Sequence, residues 1–188
     1  PIQDLADAIR SSSHNLVIVG TDGSGIGSNF LTRVASWGAA ISNYSFASPV
    51  PTHDVTAYAG ELFGALHAAR AAYAARKPIF LLIDNSSVAC IVQEALNASF
   101  GSRHSFVATQ LFRSFLLPGS RVCWVPSHDK HPDWQPPAPF TAKHFRSLNA
   151  AADVAASSVT SRLWKAGASF SPRSSFRGAS DPSVAHAS

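Results

Sequence analysis

The 188 residues carry 46% hydrophobic and 14% charged side chains, a composition that fills the core of one domain and excludes a disordered chain. No apolar run approaches the ~18 residues of a membrane span and no basic-then-apolar leader opens the sequence, so a soluble, intracellular protein with no membrane partner is expected. The net charge of +4 gathers at the end, where Arg162, Lys165, Arg173 and Arg177 are opposed only by Asp181, which leaves the body nearly neutral and without a strongly basic face.

The chain starts at Pro1 and contains no methionine, which points to a piece cut from a longer reading frame. Residues 1–14, with Ile2, Leu5 and Ile9 at near-helical spacing, read as a lead-in or linker. Leu16 to Thr21 is a short β-branched apolar run, the pattern of a strand buried on both faces, and it ends in the turn cluster Asp22-Gly23-Ser24-Gly25. Thr32 to Ile41 and Tyr44 to Ala47 read as two further strands, joined by loops short enough to make antiparallel neighbours. The alanine-rich stretch from Thr56 to Arg76 predicts a helix, with Leu62, Leu66, Ala69 and Tyr73 on the stripe facing the core. Pro78 opens a second central strand ending at Asp84. Helices are predicted over Ser86 to Leu96, capped by Asn85 or Ser86, and over Ser105 to Leu116. Arg121 to Val125 reads as a third buried strand, followed by a proline-rich loop and a final helix from His144 to Trp164. The tail from Lys165 on, rich in Ser, Pro, Arg and Gly, reads as disordered. This order gives an α/β domain over residues 15–164, a mixed five-stranded sheet of a three-strand antiparallel meander plus two parallel strands, flanked by helices.

Two cysteines, Cys90 and Cys123, fall in segments that read as buried and are expected as free core thiols. A zinc site built from Cys123, His128, His131 and His144 has no spacing to support it. The acidic residues are more informative. There are eleven, and several stand where folding alone would not put them. Asp22 and Asp84 each follow a central strand, so their carboxylates converge on one edge of a sheet, where α/β ligand sites lie. Glu61 sits beside the apolar stripe of an alanine-rich helix, and Asp153 among small apolar neighbours on the last helix. Taken singly, these are ordinary turn, cap or solvated helix residues. Four carboxylates held together would repel one another unless a cation neutralised them, so their convergence implies a divalent metal.

Five motifs resemble those of type 1 ribonucleases H and occur in the same order: T-D-G-S at Thr21–Ser24, E-L-x-x-A-L at Glu61–Leu66, I-D-N at Ile83–Asn85, W-V-P-S-H at Trp124–His128 and N-x-x-x-D at Asn149–Asp153. The resemblance covers about residues 15–164, and the W-V-P-S-H-x-K-x-P-D-W run is most similar to ribonuclease H domains of eukaryotic non-LTR retroelements. It implies a ribonuclease H-like fold, endonucleolytic cleavage of the RNA strand of an RNA–DNA hybrid, and a linked or associated reverse transcriptase domain. It also implies two Mg²⁺ ions, with Mn²⁺ able to substitute, held by Asp22, Glu61, Asp84 and Asp153. Asp22 would bridge both ions, and His128 would match the family's mobile histidine. Gly23, Ser24 and Asn85 would approach the RNA strand, where 2′-hydroxyls distinguish RNA from DNA.

The sequence departs from the family pattern between His128 and Asp153, where an extra loop holds His131, Asp133, Trp134 and Pro136-Pro137, and makes Asp129 and Asp133 competing acids. The link from Asn97 to His104 has only Arg103 where bacterial relatives carry a basic protrusion, which predicts weak autonomous hybrid binding. A DEDD-type exonuclease needs an acid at the position of Ser24, and a transposase or integrase takes its glutamate from a late helix, not from that of Glu61. The alternative to an enzyme is an inactive ribonuclease H-like connecting domain, though such domains typically lose metal carboxylates and all four are present here.

Overall fold

In the computed structural model, which describes residues 1–27, 33–51, 55–98, 106–127 and 131–169, the chain builds one mixed sheet between two helical layers. Helix α1 (Ile2–Ser11) precedes strands β1 (Val17–Ile26), β2 (Val34–Ile41) and β3 (Tyr44–Pro49). Helix α2 (Ala57–Ala75) crosses to β4 (Ile79–Ile83), and α3 (Ser86–Leu96), α4 (Phe106–Phe115), β5 (Arg121–Trp124) and α5 (Ala142–Ser169) complete the order. The strands lie in the order β3-β2-β1-β4-β5. β1–β2 and β2–β3 are antiparallel, while β1–β4 and β4–β5 are parallel.

Alternation along the central strands sorts side chains between two cores. Val17 and Val19 join Trp37, Leu81 and Ile83 beneath α1 to α4, while Phe80, Leu82 and Ala40 pack on Phe145, Leu148 and Ala152 of α5. One face of the sheet is therefore covered by four helices and the other by α5. A Cβ on Gly38 would lie 2.2 Å from the Ala152 carbonyl oxygen, so α5 rests directly on the sheet backbone. Ser36 Oγ, buried in that contact, donates to the Ala156 carbonyl at 2.6 Å and pairs with Thr160 Oγ1 at 2.5 Å.

Several expectations are corrected in detail. The stripe of α2 that meets the sheet is made of small residues, Gly64, Ala65, Ala68, Ala69 and Ala72, while Tyr73 is exposed and Leu62 and Leu66 are only partly buried at the margin. Close approach of helix to strand favours the small residues over the bulky ones. Arg121–Trp124 is an edge strand with exposed ends rather than a buried one. Residues 2–11, read as a lead-in, form a helix whose Leu5 and Ile9 are fully buried with the alanines of α2. Cys90 is exposed and Cys123 half-buried, both as free thiols. The last helix begins two residues before His144 and carries Lys165 to Ser169 with it. Expectations for Thr32, Ser105, His128, Asp129, Arg103 with most of its link, and the tail from residue 170 fall outside the described residues.

Candidate metal centre

The parallel pairing of β1 with β4 sets Thr21 opposite Ile83, so Asp22 and Asp84, one residue further on, lie side by side where β4 stops. The expected turn at Asp22–Gly25 is instead strand, because β1 runs on to Ile26 paired with β2. Glu61 comes from the first turns of α2. Thr56 caps that helix, its Oγ1 accepting from the Ala59 backbone N–H at 3.0 Å. Gly23 and Gly60 let the helix lie against β1, since a Cβ on Gly60 would sit 2.5 Å from the Ser36 carbonyl oxygen and 2.9 Å from Gly23 Cα. One carboxylate oxygen from each of Asp22, Glu61 and Asp84 then lies within 4.8 Å of the other two.

The electrostatic consequence is large. Asp22 and Glu61 are each only 6% exposed. Burial pushes the Asp22 carboxyl up to about 7, and the charges of Asp84 and Asp153 add to the effect, although the Gly23 N–H donates to its Oδ1 at 2.6 Å. Glu61 is driven higher still, by burial first, then by its hydrogen bond with Asp84 and by the charges of Asp22 and Asp84. The apo cluster therefore holds protons at neutral pH. Glu61 Oε2 is buried with no hydrogen-bond partner. A compact set of oxygen acceptors with an orphaned member fits a hard divalent cation such as Mg²⁺.

Asp153 stands outside the trio but faces the same cavity of 280 Å³ as Asp22 and Asp84. Its carboxylate accepts from Ser157 Oγ at 3.1 Å, and that hydroxyl also lies 3.4 Å from Ser24 Oγ. Asn149, one turn before Asp153 and 7% exposed, lines the cavity with a buried Oδ1 that has no partner. Arg146 lines it too, and donates through Nη2 to the His131 carbonyl at 2.7 Å. Arg146, Asn149 and Ser157 lie at −7, −4 and +4 from Asp153, a helical spacing that puts them on its face of α5 and that could have exposed their role in the sequence. A larger cavity of 590 Å³, lined by Gln93, Arg113 and Arg121 among others, has no acidic side chain.

The other predicted residues divide. Gly23 is a packing glycine against α2, and Ser24 is half-buried at the edge of the acidic site. Asn85 caps α3, its Oδ1 accepting from the backbone N–H groups of Ser87 and Val88 at 3.1 and 3.2 Å. His128 lies outside the described residues.

A sheet in this strand order with helices on both faces, with one acid midway along its first strand and another just past its fourth, is the ribonuclease H fold. The chain is similar to the solution structure of the PFV RNase H domain, with a TM-score of 0.57 and 18% identity over 78% of this chain and 94% of that one. It is also similar to native prototype foamy virus protease–reverse transcriptase (TM-score 0.54, 19% identity, 77% of this chain and 20% of that one). The foamy viral protease–reverse transcriptase in complex with RNA/DNA hybrid gives a TM-score of 0.54 and 18% identity, over 81% of this chain and 20% of that one. The chain thus spans about a fifth of the protease–reverse transcriptase chains, and at these identities the likeness is one of fold. No family model and no curated protein sequence matches it.

Proposed function

We propose that this chain is a ribonuclease H that cuts the RNA strand of RNA–DNA hybrids endonucleolytically, with Asp22, Glu61, Asp84 and Asp153 holding two Mg²⁺ ions, or Mn²⁺ in their place. The observation that carries the proposal is the meeting of the three carboxylates of Asp22, Glu61 and Asp84 within 4.8 Å, at a cavity that Asp153 also faces. Bound divalent ions supply electrostatic stabilisation of the attacking and leaving oxygens of the phosphodiester. Asp22 and Asp84 both belong to the trio and line the cavity that Asp153 faces, and Asp22 would be the ligand shared between the ions, as the resemblance implies. Ser157 fixes the Asp153 carboxylate, and Asn149 Oδ1 offers a neutral acceptor for a water or a 2′-hydroxyl proton beside it. Gly23 and Ser24 present backbone to the RNA strand, Asn85 is left with its amide nitrogen to donate, and His128 relays a proton or assists product release.

The likeness to foamy virus structures, one of them titled as an RNA/DNA hybrid complex, supports this substrate class. The reading extends to a retroelement polyprotein of non-LTR type, in which an associated reverse transcriptase holds the hybrid that this nearly neutral domain grips weakly. Mg²⁺-dependent cleavage of an end-labelled hybrid, abolished by Asp84→Asn, is the expected result. A folded wild-type chain that leaves the hybrid intact even at high protein concentration would instead identify a connecting domain.

A further inference from the structure

Beside the acidic site, the loop that follows β5 builds an aromatic recess that the hydrolytic chemistry does not use. Trp124, the last residue of β5, is 36% exposed, and its indole N–H donates to the Asp84 carbonyl at 2.8 Å. The recess is thus fixed to the residue that carries a catalytic carboxylate. His131 stands edge-on to Trp124, with ring centroids 5.5 Å apart at 69°. Trp134 completes the wall, partly buried with its ring 6.4 Å from that of Phe145. Together with Pro132 and Asp133 these residues line a shallow recess of 310 Å³, open to solvent. Residues 131–134 are tied together at one atom, since the His131 carbonyl accepts both from the Trp134 backbone N–H at 3.1 Å and from Arg146, which also lines the acidic cavity.

The chemistry of the walls selects the occupant. Aromatic faces stack on the π-face of any nucleobase. The Asp133 carboxylate repels a phosphate but accepts a hydrogen bond from an exocyclic amino group, which cytosine and adenine present and uracil lacks. The volume lies at the small end of the ~300–1,000 Å³ range of ligand pockets, room for one base and not for a duplex. A base inside a hybrid is paired at its edge and stacked on both faces, so only an unpaired base can enter. We propose that the recess of Trp124, His131, Asp133 and Trp134 binds one unpaired, amino-bearing base of the strand flanking the hybrid. Resting on the nuclease reading above, this makes the enzyme favour hybrids with a single-stranded extension next to the cut.

The test separates the two ideas. In EDTA, where no cleavage occurs, the wild-type chain is titrated with fluorescein-labelled RNA hexamers of cytidine, adenosine or uridine at low salt. One added hydrogen bond predicts cytidine and adenosine hexamers binding about fivefold tighter than uridine. Asp133→Asn, at an exposed position, erases that preference, and Trp134→Ala weakens all three hexamers. Equal binding of the three, or a preference that survives Asp133→Asn, overturns the proposal even if Trp134→Ala proves unfolded. In Mg²⁺, cleavage of a blunt hybrid reports on the nuclease alone. Base preference without cleavage sinks the nuclease reading and its flanking-strand corollary, and cleavage without base preference sinks the recess.

Discussion

A Cβ placed on Gly23 would lie 2.1 Å from the backbone nitrogen of Glu61. The strand and the helix that supply two of the clustered carboxylates therefore touch through main chain, and the glycine at that crossing sets the distance between Asp22 and Glu61. Gly23→Ala is expected to push α2 outward and to cost about 3 kcal/mol, the upper part of the overpacking range. For a chain of this size that lowers Tm by roughly 6–12 °C. Scanning calorimetry reads the first effect and Mn²⁺ titration the second, a loss of metal affinity. Unchanged values for both would show that the crossing can relax without disturbing the site.

Metal binding should release protons. Asp22, raised to about 7 by burial, and Glu61, raised further, hold protons in the folded apo chain that the unfolded chain gives up near pH 4. Folded-state pKa values above the unfolded ones mean that the folded state binds more protons, so this cluster's contribution to apo stability is full below about pH 4 and declines as pH rises, through about 7 for Asp22 and well beyond it for Glu61. Mn²⁺ must displace those protons. Calorimetric titrations in buffers of different ionisation enthalpy should show proton release, and metal affinity should rise between pH 6 and 8. A heat of binding independent of the buffer would contradict the proton count.

The same repulsion predicts a stability–function trade. Asp84→Asn removes one of three crowded carboxylates, and with it the charge that helps force protons onto Asp22 and Glu61, so the metal-free variant should melt roughly 2–4 °C above wild type, the equivalent of about 1 kcal/mol. Saturating Mg²⁺ should stabilise the wild type and leave the variant nearly unmoved. A variant less stable than the apo wild type would show that the Asp84 carboxylate contributes more by hydrogen bonding than it costs by repulsion.

Ser157 is a positioning residue. Its hydroxyl donates to Asp153 Oδ1 at 3.1 Å and reaches Ser24 Oγ at 3.4 Å. Ser157→Ala should raise the Mg²⁺ concentration needed for half-maximal cleavage by about tenfold and weaken Mn²⁺ binding in parallel. Ser157→Thr, which keeps the hydroxyl, should restore both. Loss of cleavage at unchanged metal affinity would place the serine in substrate contact instead.

His67 sets an opposite pH dependence. Buried on α2 with its ring 4.8 Å from that of Trp37 and its Nδ1 without a partner, it is lowered to about 4, by burial first and then by the charge of Arg70. A depressed histidine stays neutral when folded, so its contribution is present above about pH 6.5 and is lost as pH falls toward 4, up to about 3 kcal/mol. Urea melts of His67→Leu should lose this slope between pH 4 and 6.5 while wild type keeps it. Parallel curves would mean that His67 can reach solvent when protonated.

The elements and the acid positions were legible because each carried a local signal. The β-branched runs before Asp22 and Asp84, the alanines of α2 and the Asn85 cap all act within a few residues of chain, and the parallel register of Thr21 with Ile83 follows once both strands are central. What the sequence hid depends on contacts across the fold. The burial of α1 cannot be read from ten residues with three large apolar side chains, because only the alanine face of α2 gives them a partner. Bulk points the stripe of α2 toward Leu62 and Tyr73, but bulk marks a core face only when the neighbouring element stands far enough away, and here the small residues are the buried ones. Asn149 and Ser157 were visible at helical spacing from Asp153, but their partners, an open cavity and Ser24, come from the other end of the chain.

Among the described residues, α5 is the one helix that covers its face of the sheet, and it is the last of their elements in sequence. Three of the acids lie between residues 22 and 84, yet the fourth is carried by a helix that begins at residue 142. A nascent or proteolytically clipped product thus leaves Phe80 and Leu82 uncovered and lacks the Asp153 wall of the cavity. Under the proposed nuclease reading, any product cut short of α5 would therefore carry an incomplete set of acids.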